Sequence, residues 1–230
     1  MNAPIPYRST GGHLTSDPAR DPAPIQPEQE WANALTHAIA AKLSVIAGGI
    51  LIVYSLSVST PLTLAAAAYM ASVFATFFAS FLSHFFLKQP WLNTFRAWDQ
   101  AMIYTMIVGT YTPLAAVYLA PPVRTILIAL MWTFALIGAL SKIGWHHRIN
   151  DISPLPYIML GWAPAVVLAQ NTPADVSILM LLGGLVYCIG IYFLMYDDRG
   201  RYYHAIWHLL VMTAATIHYA GIWMVATDAV

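Results

Sequence analysis

Seven apolar stretches alternate with short polar segments along most of the chain. Each is close to the roughly 20 residues that an α-helix needs to cross a bilayer. Prolines and charged residues fill most of the connections, as at residues 88–90 and 171–173. The predicted spans are residues 37–58, 61–87, 95–119, 123–143, 153–170, 174–196 and 203–226. The pattern therefore predicts an all-α, polytopic bundle of seven transmembrane helices.

Two regions of the sequence depart from regular apolar helices. Residues 1–29 are polar and rich in proline, without the apolar stretch of a signal peptide, which predicts a flexible tail. Residues 30–230 then form a single transmembrane domain. Within the third span, the segment Gly109–Pro113 predicts a break or kink that permits close helix packing.

The composition agrees with a membrane protein. The chain is 59% hydrophobic and 9% charged, whereas soluble domains carry about 25% charged residues. The formal net charge is +0, so the sequence gives no electrostatic reason to expect a nucleic-acid partner. The one cysteine, Cys188, excludes an internal disulfide and suits a small core position.

The basic residues predict the orientation of the bundle. With seven spans, nine of them fall on the side of the N-terminal tail and one, Arg124, falls on the other. Basic residues concentrate on the cytoplasmic side of membrane proteins. We therefore expect an integral inner-membrane protein with a cytoplasmic N-terminus and an external C-terminus. The nine residues are Arg8, Arg20, Lys42, Lys88, Arg96, Lys142, Arg148, Arg199 and Arg201.

The seventh span opens with two histidines, His204 and His208, four residues apart. In a helix both imidazoles lie on one face, about 5–6 Å apart at Cβ, which suits two nitrogens that bind one metal ion. The pair could also belong to a polar belt at the membrane interface, beside Trp207. Haem is less suitable, because adjacent turns of one helix favour a single small ion.

Other polar residues are predicted to lie at the same membrane depth as this pair. The second span runs towards the cytoplasm, so Ser80 and His84 lie near its inner end, and Asp99 lies near the inner start of the third. Ionisable residues at membrane depth face the bundle interior and mark functional sites. His84, His204 and His208 would supply three zinc ligands and leave a fourth position for water. Asp99 would hold that water and accept its proton, and the Ser80 hydroxyl could bind the same water or a substrate carbonyl.

The remaining polar residues have less specific predicted roles. Glu30, Asn33 and His37 share one helical face at the start of the first span, where they either support the metal site or cap the helix. His218 lies about 15 Å along the helix from His208, too far to share its ion, and is expected to be a hydrogen-bonded polar residue. The three remaining histidines, His13, His146 and His147, are expected to be solvated.

Together these motifs resemble the hemolysin III family, the bacterial branch of the progestin and adipoQ receptor (PAQR) group. The matching motifs are Glu30-x-x-Asn33-x-x-x-His37, Ser80-x-x-x-His84, Arg96-x-x-Asp99, Gly109–Pro113 and His204-x-x-x-His208. The resemblance implies seven helices, a cytoplasmic N-terminus and a zinc ion on the three histidines, with Ser80 and Asp99 around its water. Two positions depart from the family pattern, since Gln100 commonly is histidine and Ser83 commonly is aromatic. These departures bear on the tuning of the site rather than on its metal ligands.

Three functions follow from these predictions. The first is a zinc-dependent hydrolase of a lipid amide or ester, because the wider superfamily includes the alkaline ceramidases; its partner is a membrane lipid and its role is in lipid homeostasis. The second is a sensor or receptor in which the zinc is structural. The polar pair Ser80 and Asp99 favours the hydrolase, because a structural site would be closed by a fourth protein ligand. A pore-forming toxin is the weakest, because the sequence lacks a secretion signal.

Overall fold

The computed structural model describes residues 26–144 and 153–228. Within these residues the chain forms seven α-helices and no strand, which confirms the predicted fold class. The predicted tail lies mostly outside the described residues, as do His13, His146 and His147. The helices are α1 (Pro27–Leu56), α2 (Thr60–Phe85), α3 (Trp91–Tyr118), α4 (Pro121–Gly144), α5 (Leu155–Leu168), α6 (Ala174–Met195) and α7 (Tyr203–Asp228).

Six of these helices are long and apolar enough to cross a membrane, and α5 is the exception. With 14 residues, α5 extends about 21 Å, less than the roughly 30 Å of a bilayer core. It nevertheless runs alongside α3, because Tyr157 donates to the carbonyl of Gln100 and Tyr111 donates to that of Gly161. These contacts keep α5 parallel to α3 and preserve the alternating order of the bundle.

The first and last helices also run parallel. His208 contacts the carbonyl of Asn33 near the start of both helices, and Tyr219 donates to the carbonyl of Ala47 farther along. The described chain therefore begins and ends at opposite ends of the bundle. The starts of α1, α3, α5 and α7 and the ends of α2, α4 and α6 lie at one end, here called the site end.

Helices α2 and α3 form the centre of the bundle, since 56% and 61% of their most apolar 18 residues are buried, more than in the other long helices. Gly109 allows their close approach, since a Cβ atom there would overlap the hydroxyl of Ser72. The close packing predicted for this segment is confirmed. The predicted break is not observed, because α3 continues through Pro113 as one helix.

Helix ends follow local sequence signals. The Ser59 hydroxyl accepts a hydrogen bond from the backbone N–H of Leu62 at 3.3 Å, and Pro61 occupies the first turn of α2. Helix α1 begins at Pro27, ten residues before the predicted apolar span. Its additional turns carry Glu30 and Asn33 into the bundle at the site end, next to His37.

Candidate metal centre

Three histidines from two helices meet at the site end of the bundle. His84 comes from the last turn of α2, while His204 and His208 come from the first two turns of α7. Each offers one ring nitrogen within 4.8 Å of those of the other two. The ring centroids lie 4.9 Å, 5.0 Å and 4.8 Å apart, so the three rings form a nearly equilateral triangle. The predicted convergence of distant spans is therefore present in the structure, and the cluster is able to hold one metal ion.

An oxygen atom lies beside the Nδ1 atom of every ring. His84 contacts Glu30 at 2.6 Å, His204 contacts Asp197 at 3.0 Å, and His208 contacts the carbonyl of Asn33 at 3.2 Å. When Nδ1–H donates to an oxygen, the lone pair of the neutral ring is on Nε2. All three imidazoles are thus held in the tautomer that presents Nε2 as a ligand.

The burial of His84 gives a test of whether a metal fits here. Its Nε2 atom is buried and has no hydrogen-bond partner within the described residues. Buried polar atoms are nearly always paired, and one that is not calls for a bound water or ion. A metal ion shared with His204 and His208 would satisfy this nitrogen. Three imidazoles with one open position are the donor set of a catalytic zinc site.

Glu30 links this cluster to α3. Its Oε2 atom contacts His84, and its Oε1 atom accepts a hydrogen bond from Arg96 at 3.2 Å. The carboxylate is largely buried, with a side-chain exposure of 12%. Pairing with Arg96 offsets the cost of burying this charge and keeps it available to orient the imidazole.

The other two predicted residues of α1 also lie against a histidine of the cluster. Asn33 does so through its backbone carbonyl, which accepts from His208. The ring of His37 stacks on that of His208, with centroids 3.7 Å apart and an angle of 7° between the planes. Glu30 and His37 therefore contact rings of the cluster through their side chains and Asn33 through its backbone, and the N-cap of α1 is a different residue, Gln26.

Ser80 and Asp99 line the same cavity as His84 and His204, two of the three histidines. Ser80 is fully buried on α2, one helical turn before His84, and Asp99 is partly buried on α3. The Asp99 carboxylate accepts a hydrogen bond of 2.9 Å from the hydroxyl of Ser83. Polar groups from two further positions thus face the same space as the metal-ligand candidates.

The cavity has a volume of about 1520 Å³ and extends far beyond the histidines. Along α6 its wall runs from Ser177 to Met195, a helical distance of about 27 Å. The wall is mostly apolar away from the site end, with contributions from Ile107, Ile158 and Met180. A cavity of this length and polarity has room for an acyl chain beside the histidine cluster.

Two side chains at the site were not predicted from the sequence. Asp197 lies in the polar connection between α6 and α7, where charged residues are common, and only its spacing of seven residues before His204 marks it. Thr36 lies one residue before His37, and its hydroxyl is 3.2 Å from His208 Nδ1. Of the two departures from the family pattern, Ser83 contacts Asp99, whereas Gln100 contributes its carbonyl to Tyr157.

His218 is separate from this cluster. It is buried on α7, and its Nε2–H donates to the carbonyl of Met180 at 3.0 Å. The prediction of a hydrogen-bonded histidine outside the metal site is confirmed.

Replacing Glu30 by glutamine is expected to weaken zinc binding by roughly 10- to 100-fold, the usual cost of losing such a supporting contact. The amide keeps the shape of the side chain but removes the charge that holds His84 Nδ1–H. Competition with a chromophoric chelator measures the affinity. The control is Glu28→Gln, because Glu28 is exposed on the same helix and pairs with Arg201. Equal affinities of the two variants would contradict a role for Glu30 in orienting the ring.

Several known proteins align in sequence with most of this chain. The model of a family described as Haemolysin-III related matches residues 25–219. Hemolysin-3 of Bacillus cereus is 35% identical over 189 residues, which are 80% of this chain and 86% of that protein. The human Monocyte to macrophage differentiation factor is 29% identical over 197 residues, 84% of this chain and 82% of that protein. Among solved structures, none matches the chain.

Proposed function

The chain belongs to the haemolysin-III-related family of membrane proteins, and from this premise we propose that it is a zinc-dependent hydrolase of a lipid amide or ester. The observation that carries the proposal is the arrangement of the three histidines. Their Nδ1 atoms are engaged by oxygens, and one nitrogen of each ring lies within 4.8 Å of one on each of the other two. His84 and His204 also line a long, mostly apolar cavity.

The donor set determines the chemistry that a bound ion provides. Zinc held by three imidazoles lowers the pKa of a water molecule to about 7 and polarises a carbonyl group. Glu30, Asp197 and the carbonyl of Asn33 orient the three rings for this task. A purely structural site would be closed by a fourth protein ligand. Within the described residues the metal-binding cluster comprises three side chains, which favours the catalytic assignment.

Asp99 and Ser80 have distinct parts in the proposed reaction. Asp99 accepts the proton of the attacking water and passes it to the leaving amine or alkoxide. Ser80 donates its hydroxyl to the oxygen of the carbonyl under attack, where negative charge develops. Both residues line the same cavity as His84 and His204, so a lipid bound there is within reach of both side chains.

The cavity supports a lipid as the substrate. Its apolar length accommodates an acyl chain, while the charged residues at its mouth, among them Arg96, Asp197 and Asp198, suit a polar head group. With the N-terminus on the cytoplasmic side, the site takes lipids whose head groups lie in the inner leaflet. Membrane lipid homeostasis is the corresponding cellular role.

Chelation tests this proposal directly. Purified protein in vesicles that contain lipid amides and esters should release free fatty acid, measured by mass spectrometry. Removal of zinc with a chelator should stop the release, and added zinc should restore it. Zinc-loaded protein that releases no fatty acid from any of these lipids would contradict the hydrolase and favour a receptor with a structural metal.

A further inference from the structure

Asp99 is fastened to α2 by a single side chain. The hydroxyl of Ser83 lies 2.9 Å from Asp99 Oδ2, and Ser83 itself is completely buried. No second hydrogen bond to this carboxylate occurs within residues 26–144 and 153–228. Ser83 precedes His84 directly, so the contact joins α3 to the turn of α2 that carries a metal-ligand candidate.

The chemistry of the two groups fixes the direction of this bond. A hydroxyl has one proton, and Ser83 has two acceptors within reach, the carboxylate of Asp99 and the carbonyl of Ser80, each at 2.9 Å. An ionised carboxylate is the stronger acceptor. Ser83 therefore donates to Asp99 Oδ2, and the other carboxylate oxygen keeps its lone pairs for the cavity.

We propose that Ser83 is a positioning residue that holds the Asp99 carboxylate in the orientation that accepts the proton of the attacking water. This inference rests on the proposed hydrolase function. Without the bond, the Asp99 side chain is free to rotate about χ1 and χ2, and the productive rotamer is populated only part of the time. The loss then falls on the chemical step, because the Ser83 hydroxyl is completely buried and is engaged by Asp99.

Replacement of Ser83 by alanine is expected to lower kcat roughly tenfold or more, as for other hydrogen bonds to charged groups. The KM for the lipid and the zinc content should stay close to wild type. Ser83→Thr retains the hydroxyl and should restore kcat to within about threefold, which a packing role alone would not explain. The matched control is Ser72→Ala, because Ser72 is also buried on α2 but its hydroxyl donates to its own helix at Tyr69.

A second measurement separates the contact from the activity. Thermal unfolding in detergent is recorded for Ser83→Ala, Asp99→Ala and the double variant. The decreases in melting temperature of the two single variants should add up to about 2–4 °C more than the decrease of the double variant, since each single change removes the same bond. Additive shifts in melting temperature would overturn the contact between the two side chains. An unchanged kcat in Ser83→Ala would overturn the positioning role, whatever the shifts. If the wild-type protein hydrolyses no lipid, the proposed function and the positioning role of Ser83 are both rejected. Non-additive shifts in melting temperature would still establish the bond.

Discussion

Replacing His208 by alanine is expected to reduce the zinc content of the purified protein from about one ion per chain to a small fraction of that value. The ring of His208 is 1% exposed and lies 5.0 Å from that of His84 and 4.8 Å from that of His204, measured between centroids. Its loss leaves two imidazoles, and two ligands bind zinc far more weakly than three. Inductively coupled plasma mass spectrometry gives the ratio of metal to protein.

The control for this experiment is His218→Ala. His218 lies on the same helix and is similarly buried, but it donates to the carbonyl of Met180 and is remote from the cluster. This variant should keep its zinc even if it is somewhat less stable. Full zinc retention in His208→Ala would reject the ligand set, and zinc loss from both variants would point to general unfolding instead.

Asp99→Ala is expected to retain zinc but to release fatty acid roughly 10²- to 10⁴-fold more slowly, the usual contribution of a general base. Asp99 lines the cavity beside the histidines without belonging to the metal-binding cluster, so its removal should separate binding from chemistry. The measurement compares initial rates on the lipid that wild-type protein hydrolyses fastest.

Asp175→Ala provides the matched control, because Asp175 is an exposed carboxylate at the start of α6, whose described contact is with the backbone of Val176. It should hydrolyse the lipid at the wild-type rate. If Asp99→Ala is as fast as this control, Asp99 is not the base.

The helical architecture was predictable because the membrane imposes it. A backbone in hydrocarbon must satisfy its own hydrogen bonds, so apolar stretches of about 20 residues become helices and their alternation fixes which ends lie together. That reasoning alone brought His84 to the level of His204 and His208. The same reasoning predicted the start of α1 too late, since the turns that carry Glu30 and Asn33 are polar and face the interior of the bundle instead of lipid.

Local chain geometry was harder to predict than topology. Gly109 and Pro113 indicate a break in an isolated helix, yet α3 is continuous because it packs closely on α2 through Gly109. The predicted fifth span, residues 153–170, is two residues longer than α5 at each end, since Ala169 and Gln170 belong to the turn before α6.

The metal-ligand candidates and the face of α1 beside them were accessible to sequence reasoning, whereas Asp197 and the bond between Ser83 and Asp99 were not. Histidines at membrane depth are conspicuous, because burying them without a partner is costly. Asp197 gave no comparable signal, since a carboxylate in a polar connection is expected to be solvated. The bond between Ser83 and Asp99 depends on the rotation of α2 relative to α3, which the pattern of apolar residues does not specify.

X-ray absorption at the zinc edge most directly tests the claim that imidazoles from α2 and α7 bind the same ion. The zinc-loaded protein should show three imidazole nitrogens at about 2.0–2.1 Å, the usual distance for histidine ligands. His84→Ala should show two or should bind no zinc. A wild-type spectrum with two or fewer imidazoles, or one that His84→Ala leaves unchanged, would contradict the claim.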